Sequence, residues 1–430
     1  TLEAQQFSTT TKLRGEVIFY PAGVAEADQA QTTIQQAGGV PTVQTQDNTI
    51  FAYRVRLNFD TSFTGQDRLR TRLQVADTTP FAGPVTGTNE TRLGFDSDTD
   101  GALLIDKLFY EFPFDNGKGK AVITAVNGEA NEFFDTYSGQ LESSGNGALS
   151  RFGRFNPLMY RVGGAQGAGA GTFIMYDFNK TVGIGVGYLA LNTNSTVGTG
   201  APVSAANPDQ GLFGGNYSVF AQVNVKPTKD FKFGLGYSRS YGTGFDNVGG
   251  SNGFGVNVTG STGTSYAADP FGSAKSGDDT PTETNGVNLM FSWTALPQMI
   301  ISGWFGYTWA NALSSSFVAS NTVQKNDQAQ ILTAALQFAF PDPFGRKGDL
   351  GGFIVGLPPY VTDNDSGQIV NGQLIKRQNE DVPVHIEGLY RFQVNRNLRI
   401  TPGFIIIANP QGNADNDTLF VYTVRSTFTF

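Results

Sequence analysis

The chain has 430 residues, enough for two or three ordinary soluble domains or one large barrel. It holds 54 Gly, 35 Phe and 15 Tyr against 4 Met and no Cys, an inventory of strand and turn formers that excludes disulfides, thiolate chemistry and cysteine metal sites. The net charge of −8 argues against a nucleic-acid partner, and at a mean hydropathy of −0.20 no apolar run approaches the ~18–20 residues of a spanning helix, although alternating strands average to such a value.

The opening Thr1-Leu2-Glu3-Ala4-Gln5-Gln6 carries neither a basic nor an apolar leader pattern. A removed leader, or numbering that starts inside a longer polypeptide, accounts for this. From there, apolar–polar alternation predicts strands near 13–20, 50–59, 68–76, 102–112, 119–127, 172–178, 181–191 and 214–226. It continues over 231–241, 286–295, 298–309, 331–340, 350–357, 382–394, 397–408 and 419–430. Short connections with turn chemistry, such as Asp115-Asn116-Gly117, Pro227-Thr228-Lys229-Asp230 and Asn395-Arg396-Asn397, alternate with long ones near 21–49, 77–101, 128–171, 192–213, 242–285, 310–330, 358–381 and 409–418. This regularity predicts an all-β fold: a transmembrane antiparallel barrel of about sixteen strands with long outer loops.

The last strand makes the case most simply. Phe420, Tyr422, Val424, Phe428 and Phe430 share one parity, while Thr423, Arg425, Thr427 and Thr429 share the other. Charges on the polar parity of such long strands suit a wet lumen, with the apolar parity toward lipid. Aromatic clusters at Phe109-Tyr110 with Phe112, Phe231 with Phe233, Trp304 to Trp309, and Phe338 with Phe340 are expected as interfacial girdles.

Two adjacent strands carry Arg54 and Arg56, then Arg68, Arg70 and Arg72, on the expected lumen parity. Such a wall attracts anions and orients dipolar solutes, or is an ordinary hydrated surface without consequence for selectivity. Asp96-Ser97-Asp98-Thr99-Asp100-Gly101 starts like an EF-hand loop, but the twelfth position is Lys107 where a bidentate Glu is required, so Asp96, Asp98 and Asp100 are a weak metal candidate and no metal or cofactor is expected. Gly183, Gly185 and Gly187 share one parity, as do Gly234 and Gly236; a bare inner wall or strand curvature explains either set. The only His, His385, has no evident serine partner in sequence, and a hydrated wall position accounts for it; no enzymatic activity is expected.

The opening residues 2–13 with Gly15-Glu16-Val17, the segment Ser150-Arg151-Phe152-Gly153-Arg154-Phe155-Asn156-Pro157 and the terminal Thr427-Phe428-Thr429-Phe430 resemble the cyanobacterial outer-membrane porins of the carbohydrate-selective, OprB-type superfamily. The resemblance implies a homotrimer in an outer membrane of lipid and lipopolysaccharide. It also implies a preceding S-layer-homology domain that grips peptidoglycan and is not among these residues, with 1–12 as the tail of a connecting linker and 13–430 as the barrel. In such porins the third long segment, here about 128–171, folds into the lumen as the constriction.

That segment carries Glu129, Glu132, Asp135 and Glu142 in its front half and Arg151, Arg154 and Arg161 in its back half. Its Phe133, Phe134, Phe152, Phe155, Leu158, Met159 and Tyr160 give it too much apolar surface to wave in water, so it is expected to pack against the inner wall; an external lid is the alternative. The expectation is passive diffusion of small hydrophilic solutes and ions, with Phe430 as part of the assembly signal. A carbohydrate-selective channel with Phe152, Phe155 and Tyr160 as an aromatic track is one alternative. A mainly structural barrel that anchors membrane to wall is the other.

Overall fold

The structure is a computed structural model describing residues 10–162, 168–191, 205–206, 208, 211–242, 256–272, 280–316, 318 and 320–430. Alternation sets its strands: β1 (Thr11–Val24), β2 (Ile50–Thr61), β3 (Arg68–Asp77), β4 (Leu104–Phe114), β5 (Gly119–Glu129), β6 (Ala168–Asp177), β7 (Val182–Leu191), β8 (Tyr217–Val225) and β9 (Phe231–Gly242). The second half supplies β10 (Thr282–Leu296), β11 (Met299–Ala312), β12 (Gln328–Pro341), β13 (Leu350–Asn364), a small hairpin of β14 (Gly367–Val370) and β15 (Gln373–Lys376), then β16 (Val384–Gln393), β17 (Leu398–Ala408) and β18 (Leu419–Thr429).

All but the hairpin form one closed antiparallel barrel of sixteen strands, shut by β1 on β18 with Glu16 opposite Thr429 and Val24 opposite Val421. Closure leaves no edge, so every strand finds partners for its backbone groups on both sides. No helix of the described residues is long and apolar enough to cross a membrane. Of the aromatics expected as girdles, Phe305 and Trp309 are exposed, as are Phe51, Trp293 and Phe353 elsewhere on the barrel.

Two of the expected rings belong elsewhere. Phe109 and Trp304 are 3% and 4% exposed and point inward. At Phe109 the reason is a register shift between Leu108 and Phe109 against β5; at Trp304 it is parity, since Ser302 and Thr308 on the same strand face are also buried. β13 runs seven residues past its expected end through Pro358-Pro359, because the register slips between Leu332 and Ala334 of the neighbouring strand just where two prolines cannot donate. β1 begins at Thr11, so Thr11 and Lys12 already belong to the barrel rather than to a linker; residues 1–9 lie outside the described ones.

Candidate functional site

The site begins with strand parity. On β2 and β3 the inward positions are Arg54, Arg56, Asn58 and Asp60, then Arg68, Arg70, Arg72 and Gln74, in register with Arg56 opposite Gln74 and Asp60 opposite Arg70. Like charges at this spacing need counter-charges, and the neighbouring strands supply them. Arg54 donates to Glu16 at 2.9 Å, Arg68 to Glu111 at 2.9 Å, and Arg70 grips both oxygens of Asp60 at 2.7 Å. Arg72 lies 3.3 Å from Asp106 and 3.6 Å from Glu132, and Lys107 bridges Glu129 and Glu132 at 2.8 and 2.9 Å. The Arg68 and Arg70 guanidiniums also lie over the Phe109 ring, at 5.3 and 5.8 Å. Arg56 alone of the five has no carboxylate within 4.0 Å among the described residues; it donates to Gln74 at 2.5 Å and to Ser144 at 3.4 Å.

The segment after β5 crosses the lumen and docks on the opposite walls. It holds two short helices, Ala130–Phe133 and Pro157–Tyr160, the second capped by the Asn156 side chain accepting from the Leu158 amide with Pro157 at its first position. Its backbone is tied down by wall side chains. Arg425 donates to the carbonyls of Ser144, Gly147 and Ala148 at 3.0, 2.7 and 3.1 Å, Thr427 to Gly145 at 2.7 Å, and Gln337 to Gly153 at 2.5 Å. Further round, Ser238 donates to the Leu158 carbonyl and Ser218 to that of Val162, each at 2.7 Å.

Glycine lets the backbone come this close. A Cβ on Gly185, Gly234 or Gly236 would sit 2.6 Å from Phe134, Tyr137 or Met159 of the segment. Gly183 and Gly187 instead face Asp177 and Phe173 of the adjacent strand.

Between the two walls lies a polar cavity of about 510 Å³. Ten of the eleven residues singled out from the sequence line it: Arg54, Arg56, Arg68, Arg70, Arg72, Glu129, Glu132, Arg151, Arg154 and Arg161. Asp135 does not; it is held at 2.5 Å by Lys232 beyond the segment. Phe155 and Glu142 of the segment also line it, as do Glu16, Asp96, Ser143, Ser144 and Phe109, residues that sequence reasoning did not assign to the lumen.

Two of the segment's own arginines, Arg154 and Arg161, have no carboxylate within 4.0 Å among the described residues. Arg154 donates to the Glu142 carbonyl at 2.7 Å, and Arg151 to the Gly260 carbonyl at 3.2 and 3.1 Å. Arg161 is 1% exposed, and its Nε and Nη2 have no hydrogen-bond partner among the described residues. Burial, with Arg151 and Arg154 beside it, pushes Arg161 well below the ordinary guanidinium range, and burial brings Arg151 down to about 9. The Arg154 and Arg161 guanidiniums lie over Phe155 at 4.9 and 4.6 Å.

His385 is not hydrated. It is fully buried against the Phe152 ring, with Nε2 3.3 Å from both Ser150 and Glu387, because the inward segment brings Ser150 to β16 from far away in sequence. Glu387 accepts from the Leu149 and Ser150 amides and the Ser150 hydroxyl, so all three side chains latch the segment to the wall. Asp96 is gripped by Arg92 through both oxygens at 3.0 and 2.9 Å, while Asp98 accepts from the Asp100 amide; among the described residues no three acidic or histidine side chains gather as a metal cage. Of the expected aromatic track only Phe155 reaches the cavity. Phe152 packs on Trp304, and the Tyr160 hydroxyl donates to Gln222 at 2.8 Å.

Comparison with known proteins places this geometry. An uncharacterized protein of Synechocystis sp. is 32% identical over 440 residues, covering all of this chain and 70% of the relative. Another from Nostoc sp. is 31% identical over 457 residues, covering all of this chain and 67% of the relative. Among solved structures, OprB of Pseudomonas putida superposes with a TM-score of 0.56 at 12% identity, covering 100% of this chain and 96% of that one. The anion-selective porin of Comamonas acidovorans gives 0.51 at 11% (98% and 99% covered), and the in-vitro folded trimer form of OmpT of Vibrio cholerae 0.52 at 6% (98% and 99%). The family described as "Carbohydrate-selective porin, OprB family" matches residues 1–430, and with a closed sixteen-stranded barrel around an arginine-lined lumen the chain belongs to that family of outer-membrane porins.

Proposed function

We propose that the protein passes small hydrophilic solutes and inorganic ions passively across a cyanobacterial outer membrane, through the space between the arginine wall and the inward segment. The observation that carries this reading is the cavity itself, lined by eight guanidiniums and five carboxylates inside a closed barrel. Fixed charges in a narrow passage between low-dielectric walls act on solutes more strongly than the net charge of −8 acts from the outer loops. The excess of guanidinium favours anions over cations. Single-channel conductance of the purified barrel in planar bilayers, with salts and then with sugars, tests it; a folded protein with no conductance defeats it and leaves the membrane-to-wall anchor.

The reading includes a homotrimer, contact with lipid and lipopolysaccharide, and peptidoglycan attachment only through a domain outside these residues. It includes the segment at about 128–171 as the constriction. It also includes Phe430 as an assembly element. The Phe430 amide and carbonyl pair with Gly15 at 3.1 and 2.8 Å and its ring lies over that glycine, so deleting Phe430 should lower the amount of assembled protein before it alters conductance. Unchanged assembly of the deletion variant counts against that role. A second reading, sugar passage, is favoured by Phe109 and Phe155, two rings that reach the cavity with guanidiniums over them and offer stacking surfaces beside hydrogen-bond donors.

A further inference from the structure

Three guanidiniums around the cavity, Arg56 from the barrel wall and Arg154 and Arg161 from the inward segment, have no carboxylate within 4.0 Å among the described residues. Arg161 goes further, being buried with Nε and Nη2 unpartnered. A buried N–H without an acceptor costs more than its hydrogen bond would contribute, so such a side chain calls for an anionic partner. The nearby acids are otherwise engaged: Glu16 holds Arg54, Glu129 and Glu132 hold Lys107, and Asp96 holds Arg92. Glu142, also on the cavity, takes a hydrogen bond from Thr136, and burial raises its pKa toward the neutral form.

We propose that the space between Arg56, Arg154 and Arg161 binds phosphate, free or as the head of a small phosphate monoester. The proposal rests on the porin reading and adds a solute class to it. Guanidinium forks pair with tetrahedral oxyanions through parallel N–H bonds, and here they approach from two walls, which suits several oxygens better than one spherical chloride. Ser143 and Ser144 bring hydroxyl donors to the same cavity. The volume, about 510 Å³, is large against a phosphate group and leaves room for the alcohol part of a monoester.

The test records single-channel KCl current through the purified, folded barrel while inorganic phosphate, glycerol phosphate or glycerol is added. Phosphate should block saturably and glycerol should not. The half-blocking concentration should rise about tenfold in Arg161→Gln, the size expected for one charge-assisted pair. Block by inorganic phosphate alone assigns the free anion; block by glycerol phosphate as well extends the site to monoesters. If Arg161→Gln fails to assemble, judged by heat-modifiable migration, Arg56→Gln interrogates the site from the barrel wall with the same expectation. A linear, unsaturable effect, or a half-blocking concentration that moves in neither variant, overturns the site. Calorimetric titration of phosphate into the detergent-solubilised barrel separates the two readings. Arginine-dependent binding without conductance defeats the pore and keeps the site, and conductance without binding does the reverse.

Discussion

Arginine does opposite work on the two sides of this lumen. On β2 and β3, five guanidiniums stand on adjacent strands, and four are met by carboxylates from within the barrel wall. On β16 and β18, Arg391 and Arg425 spend their donors on main-chain carbonyls: Arg391 on Asn146 at 2.8 Å, and Arg425 on three successive points of the same stretch. The first wall keeps its field in the cavity. The second converts charge into a clamp. An arginine on the lumen parity is therefore not a selectivity residue by position alone; what decides is whether its N–H groups meet folded backbone or open space.

The deepest break of this comparison removes the clamped segment. Deleting residues 131–158 from the barrel should raise unit conductance several-fold, because the wall from β8 to β18 would then face water; an unchanged conductance in a folded barrel places the segment outside the conduction path. Next in size is the clamp. Arg425→Gln leaves three buried carbonyls short of donors and should lower unfolding stability by about 3 kcal/mol, with noisier open-channel current. A urea midpoint equal to that of the parent would show that the segment holds without it.

A sharper and smaller test addresses the other wall. Changing Arg54, Arg56 and Arg70 together to Gln should reduce the chloride-to-potassium permeability ratio roughly twofold, read as a shifted reversal potential across a KCl gradient. A parent pore that is already cation-selective, or a variant with the same reversal potential, removes this wall from selection.

The smallest effect on current is expected at Glu90, remote from both walls. Its buried carboxyl accepts from Thr88 and the Gln411 amide, tying two outer loops, and burial raises its pKa to about 7. A carboxyl raised in the folded state contributes stability that is present below about pH 4.5 and lost as pH rises through about 7. The protection factor of the Gln411 amide, its exchange rate corrected for intrinsic base catalysis, should accordingly fall across that window and stay level in Glu90→Gln; a level protection factor in the parent would contradict the assignment.

Strand positions were legible because a period of two survives any loop content, and the same parity put Arg54 to Arg72 on one inner face. What failed was whatever depends on local slippage or distance. Phe109 sits beside a register shift that the alternation pattern does not encode, and Trp304 was read by its aromatic neighbours rather than by its parity. The partnership of His385 with Ser150 needs the inward path of a long segment, which no window of sequence contains. Asp96 was paired with its neighbours by motif, whereas an arginine four residues earlier had the stronger claim. The β14–β15 hairpin, by contrast, is legible: Asn371-Gly372, both at positive φ, is the turn that joins two strands most tightly, and it falls inside the long connection near 358–381.

The seam between β1 and β18 has a temporal meaning. Glu16 finds Thr429 only when nearly the whole sequence between them is in place, so the pairing of β1 with β18 has the greatest sequence separation of any strand pair in the barrel and is the natural last step of assembly. Until then the sheet carries two long open margins whose amide and carbonyl groups have no partner, a state that hydrocarbon does not tolerate. An unfinished sheet must therefore be kept out of the lipid interior, or have its margins occupied by another strand-bearing surface, until its first and last strands meet.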